Sequence, residues 1–270
     1  MKRMHASGFT LLELLISVAL GGLIAAAAVQ LFTTNATGFT LMRGLSDVQD
    51  NGSFALDFIN RDVRQAGLRP AGLGTGFVPV VMEVAQMPGA AANLLTGDGV
   101  SALGIGNSDR LVVQRLAPVA TVDCEGNAVA AGSYVVSRYF LRADDASGSA
   151  SALACDGGSH NGVVANALGD NGVVLLTSVE NLQIQLGVGD AGVPVRYLTA
   201  AQYNALAAPR PRIITVRVGV MVGALESAGA NLAEQRDMRV LDEDIVGAAI
   251  PRDGRIRRVF VTSIALRNEF

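Results

Sequence analysis

The side chains able to do chemistry in this 270-residue chain are few, and most have little to act with. Ser159 and His160 are adjacent. Neighbours along a chain rarely meet as nucleophile and base, however, and no nucleophile elbow surrounds this pair. His160 sits in a Gly-rich stretch and reads as a solvated loop histidine. The carboxylate runs Asp144-Asp145 and Asp242-Glu243-Asp244 fall in polar segments and read as ordinary surface. Asp156, Asn161, Asp170 and Asn171 offer oxygen donors for calcium, yet their spacing fits no calcium-binding loop, and solvated turn residues are the expectation. Gly72-Leu73-Gly74-Thr75-Gly76 has the glycine density of a phosphate loop without the preceding strand and following helix that such a loop needs. Arg252, Arg255, Arg257 and Arg258 read as a charged turn. Cys124 and Cys155 lack the paired spacing of a zinc site. These residues lead us to expect no catalytic centre, no cofactor and no metal.

One further group is conspicuous by its position. Glu13 is the single charge in the 24 residues from Phe9 to Phe32. A helix of that length reaches roughly 36 Å, enough to cross a hydrocarbon core of about 30 Å. Lys2 and Arg3, just ahead of it, favour a cytoplasmic N-terminus. Three uses suit such a segment: a secretory signal peptide cut near Ala25 to Ala28, a plain membrane anchor, or a segment cut ahead of its apolar run and kept on the mature chain. A carboxylate costs about 2.5–3.5 kcal/mol at the centre of a membrane helix and less near the interface. Glu13 is therefore out of place in the first two uses and suggests a partner of opposite charge in an assembly.

Gly8-Phe9, with Glu13 four residues past the Phe, resembles the cleavage and methylation motif of type IV prepilins. The resemblance implies that a prepilin peptidase cuts between Gly8 and Phe9 and N-methylates the Phe9 amine. It also implies that Glu13 makes an assembly salt bridge with the Phe9 amine of a neighbouring subunit. Two charges that are each costly in lipid become tolerable as a pair.

Removing eight residues from 270 leaves 262, and the loss of Lys2 and Arg3 takes the formal charge from −3 to −5. That mild acidity argues against nucleic acid as a partner. Roughly 230 residues beyond the span suffice for one large domain. Glycine supplies 31 positions and aromatic residues only 5 per cent, so many turns around a small β core are expected. Both cysteines fall in the part expected outside the cytoplasm, where an even pair suits a disulfide. Closing a loop of about 32 residues contributes on the order of 3.5–4 kcal/mol in the chain-entropy model.

Past Phe32 the residues Phe39, Met42, Leu45, Val48, Gly52, Leu56, Ile59, Val63 and Ala66 keep helical spacing. They predict an amphipathic continuation closed by Gly67, with a possible break at Asn51-Gly52. Strands are predicted over 80–84, 111–116, 134–141, 173–177, 179–187, 212–222 and 259–266. A short helix over 197–207 has Thr199 as a candidate N-cap, and loops are predicted over 143–172 and 226–244. Arg64 to Gly67, Val179 to Gln185, Arg257 to Phe260 and Leu266 to Asn268 resemble blocks of the PilW-like minor pilins. Leu68 and Leu186 stand where those pilins often carry Tyr.

The expected fold is α+β: a long N-terminal helix, transmembrane in its first half and amphipathic in its second, packed on an antiparallel β-sheet with long Gly-rich loops. The expected parts are a leader over 1–8, a transmembrane or filament-core helix over 9–32, its amphipathic continuation over 33–67 and a β-rich periplasmic head over 68–270. The resemblance implies a non-enzymatic minor pilin that joins other minor pilins at an inner-membrane assembly platform. It would promote polymerisation of the major pilin and lie near the pilus tip. Two alternatives stay open. A J-type pseudopilin of a type II secretion system shares this plan, and a membrane-tethered enzyme or sugar-binding module would need a convergent polar pocket.

Overall fold

A computed structural model describes residues 9–68, 78–144, 151–162, 165–189, 195–229 and 236–266, and the chain divides into two units, 1–43 and 44–270. Helix α1 runs Leu11–Gln65. In the first unit its side chains from Leu11 to Thr37 are all exposed. In the second unit Gly44, Val48, Gly52, Ala55, Ile59 and Val63 are buried at steps of three or four, one face of a helix. Phe39 and Met42, expected on that face, are instead 71% and 67% exposed. The buried stripe begins at Gly44, where a Cβ would already touch Ile256 and Ala224.

The possible break at Gly52 is absent, and the helix runs through it. A Cβ at Gly52 would lie 2.3 Å from the Phe260 ring. Glycine is there because an aromatic ring rests on the helix backbone, which offsets the roughly 1 kcal/mol that glycine costs within a helix. Gly67 ends the helix as expected: its φ of 77° is left-handed, and its N–H donates to the Gln114 carbonyl at 3.0 Å.

The strands are β1 Gly97–Ser101, β2 Ser108–Leu116, β3 Thr121–Val122, β4 Ala128–Val129, β5 Tyr134–Arg142, β6 Ala152–His160, β7 Ala165–Asn166, β8 Val173–Thr177 and β9 Val179–Val188. They continue as β10 Arg196–Leu198, β11 Ile213–Gly223, β12 Met238–Val240, β13 Glu243–Ile245 and β14 Arg257–Ala265, with helix α2 Ala200–Asn204 after β10. The class is the expected α+β, but the β layer is divided. One sheet has the order β1-β2-β5-β6-β7 with β8 also on β6, and the other has the order β10-β9-β11-β14. Every pairing is antiparallel. Val48, Ile59 and Val63 of α1 share one core with Leu111, Tyr139 and Leu153 of the first sheet and Leu182, Ile184 and Val218 of the second. Polar bonds also tie β2 to β9: the Ile184 N–H donates to Asp109 Oδ2 at 2.7 Å, and the Leu182 N–H donates to Ser108 Oγ at 3.3 Å.

Three local expectations fail for physical reasons. Residues 143–172 do not form one loop, because Ala152–His160 is an inner strand paired with both β5 and β8. Its small residues suit a position covered on both faces, and at Gly157 a Cβ would strike the Asp123 carboxyl at 2.7 Å. Residues 80–84 are not a strand: Val80 makes a single bridge to Val113 and Val84–Gln86 is a 3-10 turn. Residues 226–244 include β12 and the start of β13, a hairpin whose Val240 and Ile245 join a small apolar cluster with Met221. Thr199 does cap α2, accepting from the Gln202 N–H, although Tyr197 and Leu198 belong to β10. Gly72 to Gly76, Asp145 and the pair Arg267-Asn268 lie outside the described residues.

Candidate functional site

The first turn of α1 explains the isolated carboxylate in local terms. Thr10 Oγ1 accepts from the Glu13 N–H at 3.2 Å, and Glu13 Oε2 accepts from the Thr10 N–H and hydroxyl, both at 3.1 Å. This reciprocal pair is a capping box, which satisfies two backbone donors at a helix start and places negative charge at the positive end of the helix dipole. The sequence reading missed it, although the Thr-x-x-Glu spacing is its signature. Phe9, beside this turn, is 88% exposed, and Gly8 lies outside the described residues. Among the described residues Glu13 is thus hydrogen-bonded to Thr10 without a cation, and a cationic amine could compete for the same oxygens.

In the second unit, two of the sequence blocks meet. Arg257 Nε lies 2.6 Å from Glu180 Oε2, Arg255 Nη1 lies 3.0 Å from Glu180 Oε1, and Arg257 Nη2 lies 2.6 Å from Asp253 Oδ2. Glu180 and Arg257 are buried. Arg255 and Arg257 therefore form an internal ion network, not the charged turn expected from the sequence. The network joins the start of β9 to the start of β14 beside Gly223, where β11 ends. Burial works against ionisation of Asp253, but its bonds to Arg257 and Arg255 prevail and hold its carboxyl below the usual range.

Cys124 and Cys155 form a disulfide, which links the β3–β4 turn to β6. His160 is not a solvated loop residue. It is 3% exposed, its Nε2 lies 2.8 Å from Gln114 Oε1, and its ring stacks on Tyr134 with centroids 4.6 Å apart. Burial lowers its pKa. Asp144 is buried rather than superficial, and Asp242 is half-buried and accepts from Gln185 Nε2 at 3.3 Å. Asp156 and Asp170 come together, and Asn161 and Asn171 are exposed. A cavity of about 150 Å³ between α1 and β5 is lined by Arg61, Asp62, Arg115, Ser137 and Tyr139 among others, and the Tyr139 hydroxyl donates to Asp62 Oδ2 at 2.8 Å.

Comparison with known proteins fits the first turn of α1. Residues 3–29 match the prokaryotic N-terminal methylation motif, so a single prepilin-type span anchors the chain in a membrane. The protein is of the type IV pilin class, whose members are structural subunits that are processed as prepilins and interact with one another. Residues 138–268, which carry the Glu180–Arg257 network, match the family described as type IV pilus-assembly protein W. Together the two matches support a PilW-like type IV minor pilin. A type IV-like pilin from Thermus thermophilus is similar in structure at a TM-score of 0.45 and 14% identity, over 82% of this chain and 98% of that one. No curated protein matches the sequence.

Proposed function

We propose that this minor pilin joins a priming complex of minor pilins in the inner membrane and promotes assembly of the type IV pilus. A prepilin peptidase removes residues 1–8, freeing the Phe9 amine for methylation, and the head folds on the periplasmic side. Glu13 then exchanges its contacts with Thr10 for the Phe9 amine of an adjacent subunit. Incorporation beside the other minor pilins would leave the head near the filament tip. The observation that carries this reading is an apolar helical surface, exposed from Leu11 to Thr37, whose one charge sits in the first turn.

Catalysis has no comparable support. The described wall of the cavity offers no histidine, and the sulfur there, that of Cys124, is held in the disulfide. His160 is engaged with Gln114 and Tyr134.

The test is Glu13→Gln in cells that make pili. The variant should accumulate, be cleaved at Gly8 and fold normally, yet co-purify poorly with partner minor pilins and lower the number of surface pili several-fold. Wild-type recovery in both assays would refute the proposed role of the carboxylate. A mature N-terminus near Val29 would refute prepilin processing.

A further inference from the structure

Glu125, Asp156 and Asp170 come from three separate segments: the β3–β4 turn, strand β6 and the loop before β8. One carboxylate oxygen from each lies within 4.8 Å of the other two. The disulfide helps to create this meeting, because Glu125 follows Cys124 and Asp156 follows Cys155. Asp156 is fully buried, and its two oxygens have different fates. Oδ2 accepts from Arg138 Nε at 2.5 Å and from the Gly169 N–H at 3.0 Å. Oδ1 is buried with no hydrogen-bond partner among the described residues. A buried acceptor without a donor is costly, and such groups in folded proteins call for a specific explanation. The other carboxylates of the cluster have no proton to give it when ionised.

We propose that Glu125, Asp156 and Asp170 form a binding site for a hard divalent cation, calcium by its chemistry. Distance supports this: two oxygens on one Ca²⁺ at about 2.4 Å lie at most about 4.8 Å apart. Charge supports it too, since three carboxylates beside Arg138 leave two net negative charges for a dication to neutralise. The donor set is all oxygen, the nearby sulfurs being sealed in the disulfide, and this favours Ca²⁺ over zinc. Donors drawn from a turn and a loop suit the flexible coordination of Ca²⁺ better than the strict octahedron of Mg²⁺. Backbone bonds hold the other two side chains in place: the Gly157 N–H donates to Glu125 Oε2 at 3.2 Å and the Gly172 N–H donates to Asp170 Oδ1 at 2.7 Å. The ion would tie the β3–β4 turn, β6 and the loop before β8 together beside the disulfide, and its place in the head is independent of Glu13.

The experiment uses the full-length processed protein in detergent micelles, stripped with EGTA, dialysed and titrated calorimetrically with CaCl2 and then MgCl2. The expected result is one Ca²⁺ per chain with Kd of roughly 10 μM to 1 mM, and weaker Mg²⁺ binding. Tm should rise by roughly 5–10 °C when Ca²⁺ exceeds Kd a hundredfold. Glu125→Gln and Asp170→Asn avoid the Arg138 pair. Each should weaken Ca²⁺ binding at least tenfold and abolish the rise in Tm, while leaving the disulfide and the Tm in EGTA near wild type. Absence of saturable binding, or unchanged binding in both variants, overturns the site. A wild-type Tm in EGTA equal to that in Ca²⁺ also overturns it, because an ion bound to the folded head must raise its stability.

Discussion

Helix α1 is one element with two kinds of environment. In the first unit Leu11, Leu15, Leu23 and Phe32 are each more than half exposed, and a Cβ added at Gly21, Gly22 or Gly38 would meet nothing within 4 Å. In the second unit Val48, Ile59 and Val63 are fully buried, and Gly52 is filled by the Phe260 ring. The same helical geometry is thus written in two ways. The early stretch anchors the chain in a membrane and is the surface proposed for subunit contacts, so its residues need only be apolar. The later stretch specifies contacts with its own sheets, so each residue must match a particular partner. A substitution of one chemical kind should therefore have opposite consequences in the two units, for stability on one side and for assembly on the other.

The largest contrast is expected from carboxylate-to-amide changes. Glu180→Gln leaves Arg257 and Arg255 facing a neutral group inside the head, and removing one partner of a buried pair typically costs about 3–5 kcal/mol. Glu13→Gln disturbs only an exposed capping box and should leave the unfolding of the head unchanged. Urea denaturation of both variants in micelles measures the difference. A loss below about 1 kcal/mol for Glu180→Gln would show that the network does not join β9 to β14 as its geometry indicates.

A smaller effect is confined to the head and follows pH. Asp109 is buried where β2 meets β9, and burial raises its pKa to about 7 although the Gly99 and Ile184 N–H groups both favour the carboxylate. Asp98 and Asp242 add to the rise. The folded head then holds a proton that the unfolded chain, with its ordinary value of 3.8, releases. Between pH 4 and 7 the folded state binds more protons, so this group makes stability fall as pH rises, by at most about 1.4 kcal/mol per unit, levelling off about one unit above its folded pKa. The slope of unfolding free energy against pH should be shallower in Asp109→Asn than in wild type. Equal slopes would mean that Asp109 is ionised in the folded head throughout.

The parts of the molecule legible in the sequence are those whose environment is local or uniform. The apolar span, the Gly67 cap, the Thr199 cap and the alternating β11 all signal themselves within a few residues. Strand β6 does not, because Ala-Leu-Ala-Cys-Asp-Gly-Gly-Ser-His has the composition of a turn and becomes a strand only between β5 and β8. The same holds for His160, whose partners Gln114 and Tyr134 are remote in sequence. Arg257 looked like surface because its partner Glu180 is 77 positions away. Glu125 escaped notice among the calcium candidates because a disulfide, not a linear motif, brings it to Asp156.

The smallest effect gives the most direct test of the contrast along α1, since it changes one methyl group twice. Alanine is a better helix former than glycine by about 1 kcal/mol, so backbone propensity alone predicts that Gly21→Ala and Gly52→Ala are both stabilising. Space decides otherwise. At Gly21 the new methyl meets nothing, and the variant should gain helicity in micelles while the Tm of the head stays within about 1 °C of wild type. At Gly52 the methyl must displace the Phe260 ring from 2.3 Å, and overpacking of that kind costs about 1–3 kcal/mol. Phe260 is only partly buried and can shift, so a net loss of about 1 kcal/mol is expected after the propensity gain, seen as a Tm lower by roughly 2–4 °C. Filament assembly should reverse the order: Gly21 lies on the surface proposed for subunit contacts, and Gly52 lies under the head's own sheet. A Gly52→Ala variant as stable as wild type would mean that the ring does not rest on the helix. A Gly21→Ala variant with a lowered head Tm would mean that the first stretch has partners within its own chain.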